Sequence, residues 1–448
     1  MEKDLTKGSV WKVLLRFSLL YLLSCFLQTF YGMVDLYVTG QYNGAAAISA
    51  VSIGSQIMHM ITVVIVGLAM GSTVGLGVAI GSRHQERVSR IIGNTVILFA
   101  AGSILLVCVL MFSMNGIITV MSVPEEAITQ TKLYLTICFI GIPFITAYNV
   151  ISCIFRGMGD SRSPMYFVGI ACVLNIVLDF FLIGGLGWGA SGAALGTVLS
   201  QGASVLFALF YLLRKRSSQF ELKLSRKDLL PDRAVLTDIL KVGVPVACQD
   251  GFIQISFLVI TMIANRRGVD VAASVGIVEK IISFLFLVPS AMLSSVSAIA
   301  AQNRGANLHA RARQTLLYAI LISVSFGVIC TVICQIVPEQ FVGLFSSEEV
   351  VRELGGQYLR SYVLDCIVAG VHFCFSGFFC AYGLSSFSFV HNLASIILVR
   401  IPGAWLAAEL FPATLYPMGL AAPVGSALSA VICVVLFLVF RKKFGITR

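Results

Sequence analysis

Charge is scarce in this chain: 12% of its 448 residues are Asp, Glu, Lys or Arg, about half the share of an ordinary soluble domain. With 58% hydrophobic residues and a mean hydropathy of +0.94, there is too little charge to cover a water-facing surface, so lipid is the natural solvent. The twelve cysteines are dispersed and form no CxxC. Those in apolar stretches, such as Cys108, Cys138, Cys172, Cys330 and Cys433, read as small hydrophobes, against a disulfide framework or zinc site. Histidine is equally sparse: His59, His372 and His391 show no HExxH-type spacing and read as packed or pore-lining. No catalytic cluster is visible, so no enzymatic activity is expected. No cleavage-site pattern follows the opening MEKDLTKGSVWKVLLRF, whose apolar run is too long for a signal peptide and reads as a first spanning helix. Strict alternation is missing too, which excludes a membrane β-barrel.

What is present is a series of apolar runs, each near the roughly 20 residues needed to span a bilayer. They predict twelve helices, at 13–37, 46–70, 90–112, 130–155, 164–186, 190–213, 236–263, 271–299, 312–336, 357–382, 386–409 and 417–440. Pro143, Pro245, Pro289 and Pro402 should kink theirs. Glycines from Gly67 to Gly81 are spaced for close helix contact. Twenty-four of the 31 Lys and Arg fall on one face, in the terminal segments and the loops near Arg83, Arg156, Arg214–Lys241 and Arg304. The positive-inside rule then puts both termini in the cytoplasm. Anionic lipid and topology account for the basic excess, so no nucleic-acid partner is expected. Arg266–Arg267, on the opposite face, is an exception without a sequence-based explanation.

The chain also repeats itself at an offset of about 224 residues, half its length. SVPEEAITQTKLYL matches SSEEVVRELGGQYL, with Glu125 on Glu349 and Tyr134 on Tyr358, and GVAIGS matches AQNRGA. Six helices per half give both halves one orientation. The expected division is an amino-terminal lobe at 1–213, a cytoplasmic linker at 214–235 and a carboxy-terminal lobe at 236–448.

Ionisable residues inside a span are costly and usually face a cavity. Asp35 lies toward the end of the first helix and Asp179 on the fifth, with Asn175 one turn before it on the same face. Thr197 on the sixth helix adds a hydroxyl at similar depth. Two carboxylates, an amide oxygen and a hydroxyl suit Na⁺, or a proton shared between close carboxylates. The second half carries Asp250, Glu279, Lys280, Asp365 and Arg400, read as cavity residues or a polar network, with Glu279 a candidate partner of Arg400. Met33 is a candidate cavity-lining residue.

These residues carry a resemblance over nearly the whole chain. The opening KGSVWKVLLRFSLLYLLSCFLQTFYGMVDLYVTGQ, the glycine-rich GLAMGSTVGLGVAIGS, RGMGD at Arg156–Asp160, LNIVLDFFLI, and VAASVGIVEKIISF with AQNRGA resemble the multidrug and toxic compound extrusion (MATE) transporters, most closely their DinF-like bacterial branch. The resemblance implies an all-α integral membrane fold of twelve helices in two pseudo-symmetric six-helix lobes. It implies cation-coupled export of drug-like, often cationic, small molecules by alternating access across the bacterial cytoplasmic membrane, with no cofactor beyond the coupling H⁺ or Na⁺; a monomer is the default expectation. It puts the coupling ion at Asp35, Asn175, Asp179 and Thr197. The second-lobe carboxylates of the NorM-like branch have no clean counterpart: Ile253 stands where the seventh helix would carry Glu, and Asp365 is about one turn from the tenth-helix position. The nearest alternative is a lipid-linked oligosaccharide flippase of the same superfamily, which would be expected to carry a cationic cavity. A channel is a third reading.

Overall fold

The computed structural model describes residues 4–214 and 225–445, and the regular structure among them is helical. Part of the expected linker, residues 215–224, and five of the tallied basic residues, Lys3, Lys215, Arg216, Lys223 and Arg448, lie outside the described residues. The first half of the chain forms α1 (Val10–Tyr42), α2 (Ala45–Gly81), α3 (Gln85–Phe112), the short α4 (Met114–Val120), α5 (Glu125–Ile140), α6 (Ile142–Gly157), α7 (Arg162–Asp179) and α8 (Gly189–Arg214). The second forms α9 (Arg233–Asn265), α10 (Val269–Leu285), α11 (Leu287–Gly305), α12 (His309–Ile336), the short α13 (Pro338–Gly343), α14 (Glu349–Tyr362), α15 (Asp365–Ala381), α16 (Ser385–Ser395), α17 (Ile401–Leu410) and α18 (Tyr416–Val439). Among the described residues, ten helical stretches are long and apolar enough to span a membrane. Two bent pairs, α5–α6 at 52° and α14–α15 at 42°, bring the number to twelve.

The twelve expected spans are therefore present, with two differences. The second helix continues eleven residues past the expected end, through the glycine-rich stretch to Gly81. The fourth and tenth are broken. At the first break Gly141 separates the two helices and Pro143, just inside α6, has no amide to offer Phe139. At the second, the Val363 carbonyl accepts the Cys366 amide at 3.0 Å and the Thr331 hydroxyl at 3.3 Å. Pro245 lies within α9, and the helix continues on both sides of it.

The chain divides into two compact units. One comprises Met1–Asp4 and Leu19–Leu240, the other Leu5–Ser18 and Lys241–Arg448. The first unit packs Val51, Tyr134, Leu135, Phe139, Ile142 and Ile183 into one buried core. The second is centred on Tyr358, Leu359, Tyr362, Val275 and Ile282. Large apolar side chains such as Phe112, Leu206 and Leu398 are exposed, as outward faces of spans in lipid should be.

Arg267 now has an explanation. In the turn between α9 and α10 its guanidinium donates to the Phe411 carbonyl at 3.1 Å and the Pro412 carbonyl at 2.7 Å. It supplies donors to carbonyls just past the end of α17, a structural use of a basic residue on a face otherwise poor in them.

Candidate cation site and polar network

RGMGD, which carried part of the resemblance, shapes the entry to α7. Gly159 takes a left-handed φ of 87°, and Asp160 Oδ1 accepts the amides of Arg162 and Ser163 at 2.9 and 3.0 Å. The first amides of α7 are thereby satisfied. At its other end α7 widens into a π-helical turn, Phe180–Gly185, a distortion frequent at functional sites. Asp179 stands where the two join.

The structure brings all four expected cation-site residues together within the first unit. Asp179 and Asn175 face the carboxylate of Asp35. The Thr197 hydroxyl donates to Asp35 Oδ2 at 3.3 Å and to the Ala193 carbonyl at 3.1 Å. Asp35, Asn175 and Asp179 are buried. Asp35 Oδ1, both carboxylate oxygens of Asp179 and the Asn175 amide oxygen lack a well-formed hydrogen bond. Buried oxygens are normally satisfied, so this is a cluster of hard donors with unused capacity, suited to a small cation or a proton.

Two further residues shape the site. Gly196 on α8 lies so close to Asp179 that an added Cβ would stand 2.7 Å from Oδ1 and 3.7 Å from Asn175 Nδ2. The lack of a side chain there makes the space the carboxylate occupies. One turn beyond Thr197, Gln201 donates to the Tyr31 hydroxyl at 3.1 Å, a second tie between α8 and α1, one turn from Asp35. The sequence shows Gly196 as one small residue in ASGAALG, with nothing to separate it from its neighbours.

In the second unit the candidates divide. Arg400 is buried at the end of a second π-helical turn, Ile396–Arg400. It donates to the Tyr362 hydroxyl at 2.5 Å and lies 4.8 Å from the Phe257 ring. The expected pairing with Glu279 does not form: no ion pair joins Arg400 to an acid among the described residues, and Glu279 instead accepts from Thr261 at 3.1 Å. Glu279 and Asp365 lie within electrostatic reach of the guanidinium. Asp250 stands apart, with Gln249 donating to it at 3.4 Å. Lys280 and Met33 are exposed. His372 and His391 pack with ring centroids 5.6 Å apart, and His391 Nε2 meets the Ser376 hydroxyl at 3.0 Å. Tyr362 and Thr261 were not anticipated.

The model of the MatE family matches residues 21–181 and again residues 245–406. The chain belongs to the MatE family. The two matches begin at about the spacing of the internal repeat. The chain is similar to the probable multidrug resistance protein YoeA of Bacillus subtilis (strain 168), with 27% identity covering 99% of this chain and 96% of that one. It is similar to the multidrug export protein MepA of Staphylococcus aureus (strain N315), with 26% identity covering 84% and 83%. Among solved structures, the outward-facing conformation of a multidrug resistance MATE family transporter aligns with a TM-score of 0.92 at 21% identity, over 99% of this chain and 98% of that one. That likeness establishes the twelve-helix MATE fold. This MATE protein is accordingly a multi-pass membrane protein of a transporter family.

Proposed function

We propose that this MATE protein exports drug-like, often cationic, small molecules in exchange for H⁺ or Na⁺ taken up at Asp35, Asn175, Asp179 and Thr197. The observation that carries the reading is the set of buried, unfilled oxygens around two facing carboxylates. Two negative charges side by side in an apolar interior repel and lose hydration. A cation or a shared proton offsets one of these charges and gives open oxygens a partner. The names of the relatives, multidrug resistance and multidrug export, support the choice of substrate. The protein works as a monomer in the bacterial cytoplasmic membrane with both termini cytoplasmic, as the basic residues indicate.

In this reading the protein alternates between outward-open and inward-open states. Outside, the cation binds and offsets one of the two negative charges of the Asp35–Asp179 pair, favouring release of the drug. Inside, loss of the cation restores negative charge and favours reloading. The cation acts only through its different affinity for the two states. Thr197 and Asn175 contribute neutral oxygens and hold the carboxylates in register.

The test is efflux of a fluorescent cationic dye from proteoliposomes under imposed H⁺ or Na⁺ gradients. Asp35→Asn and Asp179→Asn should each abolish gradient-driven efflux while protein yield and dye binding persist. Wild-type rates in both variants would refute the coupling site. Movement of a lipid-linked glycan without dye efflux would favour the flippase reading instead.

A further inference from the structure

The boundary between the two compact units runs inside two helices: α1 is cut between Ser18 and Leu19, α9 between Leu240 and Lys241. In each, the opening turns are grouped with the half of the chain that the rest of the helix does not join. Specific contacts hold both openings. In the first unit, the chain entering α9 lies on α3. Gly93 comes so close to the Asp228 carbonyl that no Cβ could fit. Asn94, 1% exposed, accepts the Asp232 amide at 2.7 Å and donates to the Leu230 carbonyl at 3.4 Å. Arg87 pairs with Asp238 at 2.9 Å. In the second unit, the chain entering α1 is held by α11 and α12. Gln302 Oε1 accepts the Leu5 amide at 3.3 Å, and Asn303 Nδ2 donates to the Leu5 carbonyl at 3.4 Å. Arg311 donates to Asn303 Oδ1 at 3.1 Å and to the Gly8 carbonyl at 2.8 Å. Trp11 meets Tyr318 edge-on at 5.5 Å. Arg87 and Arg311 are separated by the repeat offset, so the two clasps use equivalent arginines.

Just past the cut in α9 the helix is also weakened. Pro245 has no amide for the Lys241 carbonyl, and that carbonyl accepts the Ser385 hydroxyl at 3.0 Å instead.

We propose that the clasps centred on Asn94 and on Gln302–Asn303 stay closed through the transport cycle, so that flexure occurs inside α1 near Ser18–Leu19 and inside α9 from Leu240 to Pro245. Asn94 and Asn303 are positioning residues, fixing where the two helices can bend. The inference rests on the transport reading above and adds which segments travel together.

The test replaces the clasps with reversible bonds in the full chain, in a background whose native cysteines are substituted. Asn94→Cys with Asp232→Cys makes one pair and Leu5→Cys with Asn303→Cys the other. Reduced, each pair lacks the asparagine contacts of its clasp, and dye efflux should fall at least about fivefold, the effect of losing a buried hydrogen-bonding group. Oxidised, each should return to within about twofold of the parent. Oxidation that arrests efflux would show that the segments must separate during the cycle and overturns the proposal. Reduced pairs working at the parental rate, or pairs that do not cross-link, overturn it as well. A parent chain without efflux of any substrate would instead be a failure of the transport reading. Hydrogen exchange in nanodiscs then tests the first clasp alone: amides 232–240 must exchange at least about tenfold faster in Asn94→Ala than in the parent, and equal rates refute the clasp.

Discussion

A methyl group placed on Gly196 would come within 2.7 Å of Asp179 Oδ1 and 3.6 Å of Leu178 Cβ. Asp179 is fully buried, so its carboxylate has little room to retreat. It must withdraw by about half an ångström or more to regain ordinary contact distance, whereas cation coordination tolerates about 0.2 Å. Overpacking of this kind costs about 1–3 kcal/mol; taken from cation binding, that is roughly a 5- to 150-fold loss of affinity. Helix propensity pulls the other way, since alanine improves on glycine by about 1 kcal/mol inside a helix, so weakening of α8 cannot explain a defect. Gly202 on the same helix is the control: an added Cβ there meets Phe144 Cδ1 at an ordinary 3.6 Å. The assay is the initial rate of dye efflux from proteoliposomes as a function of Na⁺ or H⁺ concentration. Gly196→Ala should move the half-saturating concentration upward, with Gly202→Ala matching the parent. Equal half-saturating concentrations in the two variants would refute the placement of the site against Gly196.

Other outcomes follow from the same geometry. Thr197→Val removes one neutral oxygen and should weaken the cation dependence by roughly three- to tenfold, the worth of one hydrogen-bonding group, without abolishing transport; this is read in the same efflux titration. Tyr362→Phe deprives the buried Arg400 of its hydroxyl acceptor and should cost about 1–3 kcal/mol, seen as a lower apparent Tm in detergent. Arg267→Ala frees the carbonyls of Phe411 and Pro412 and should lower the apparent Tm by a few degrees, as about 1 kcal/mol does in a domain of this size; cation dependence should not change.

The spans were legible because hydrocarbon thickness sets a run length that the chain displays directly, as α3 and α12 show. The breaks in the fourth and tenth spans were less so. Gly141 and Pro143 were visible, but a bend of 52° depends on what receives the freed backbone groups, and that is tertiary. The four cation-site residues could be named because polar groups in apolar helices are few and Asn175 and Asp179 share a helical face. Gly196 was hidden, since it acts by absence and small residues are common in membrane helices. Charge alone points Arg400 to Glu279. The fold gave it a tyrosine hydroxyl and a phenylalanine ring, partners that a charge-based reading does not search for.

The two fractured spans also speak of ancestry. The interruption between α5 and α6 and the one between α14 and α15 fall within two residues of the repeat offset. A break present at the same place in both copies is older than the duplication that joined them. Since then the surroundings have diverged: the position of Gly141 in one copy matches that of Asp365 in the other. Side chains around the fracture have been exchanged, even for charge, while the interrupted backbone has been inherited twice. The six-helix ancestor therefore already carried a broken helix, whereas Asp35 and Asp179 have no acidic counterpart at the repeat offset, where Val259 and Gly403 stand.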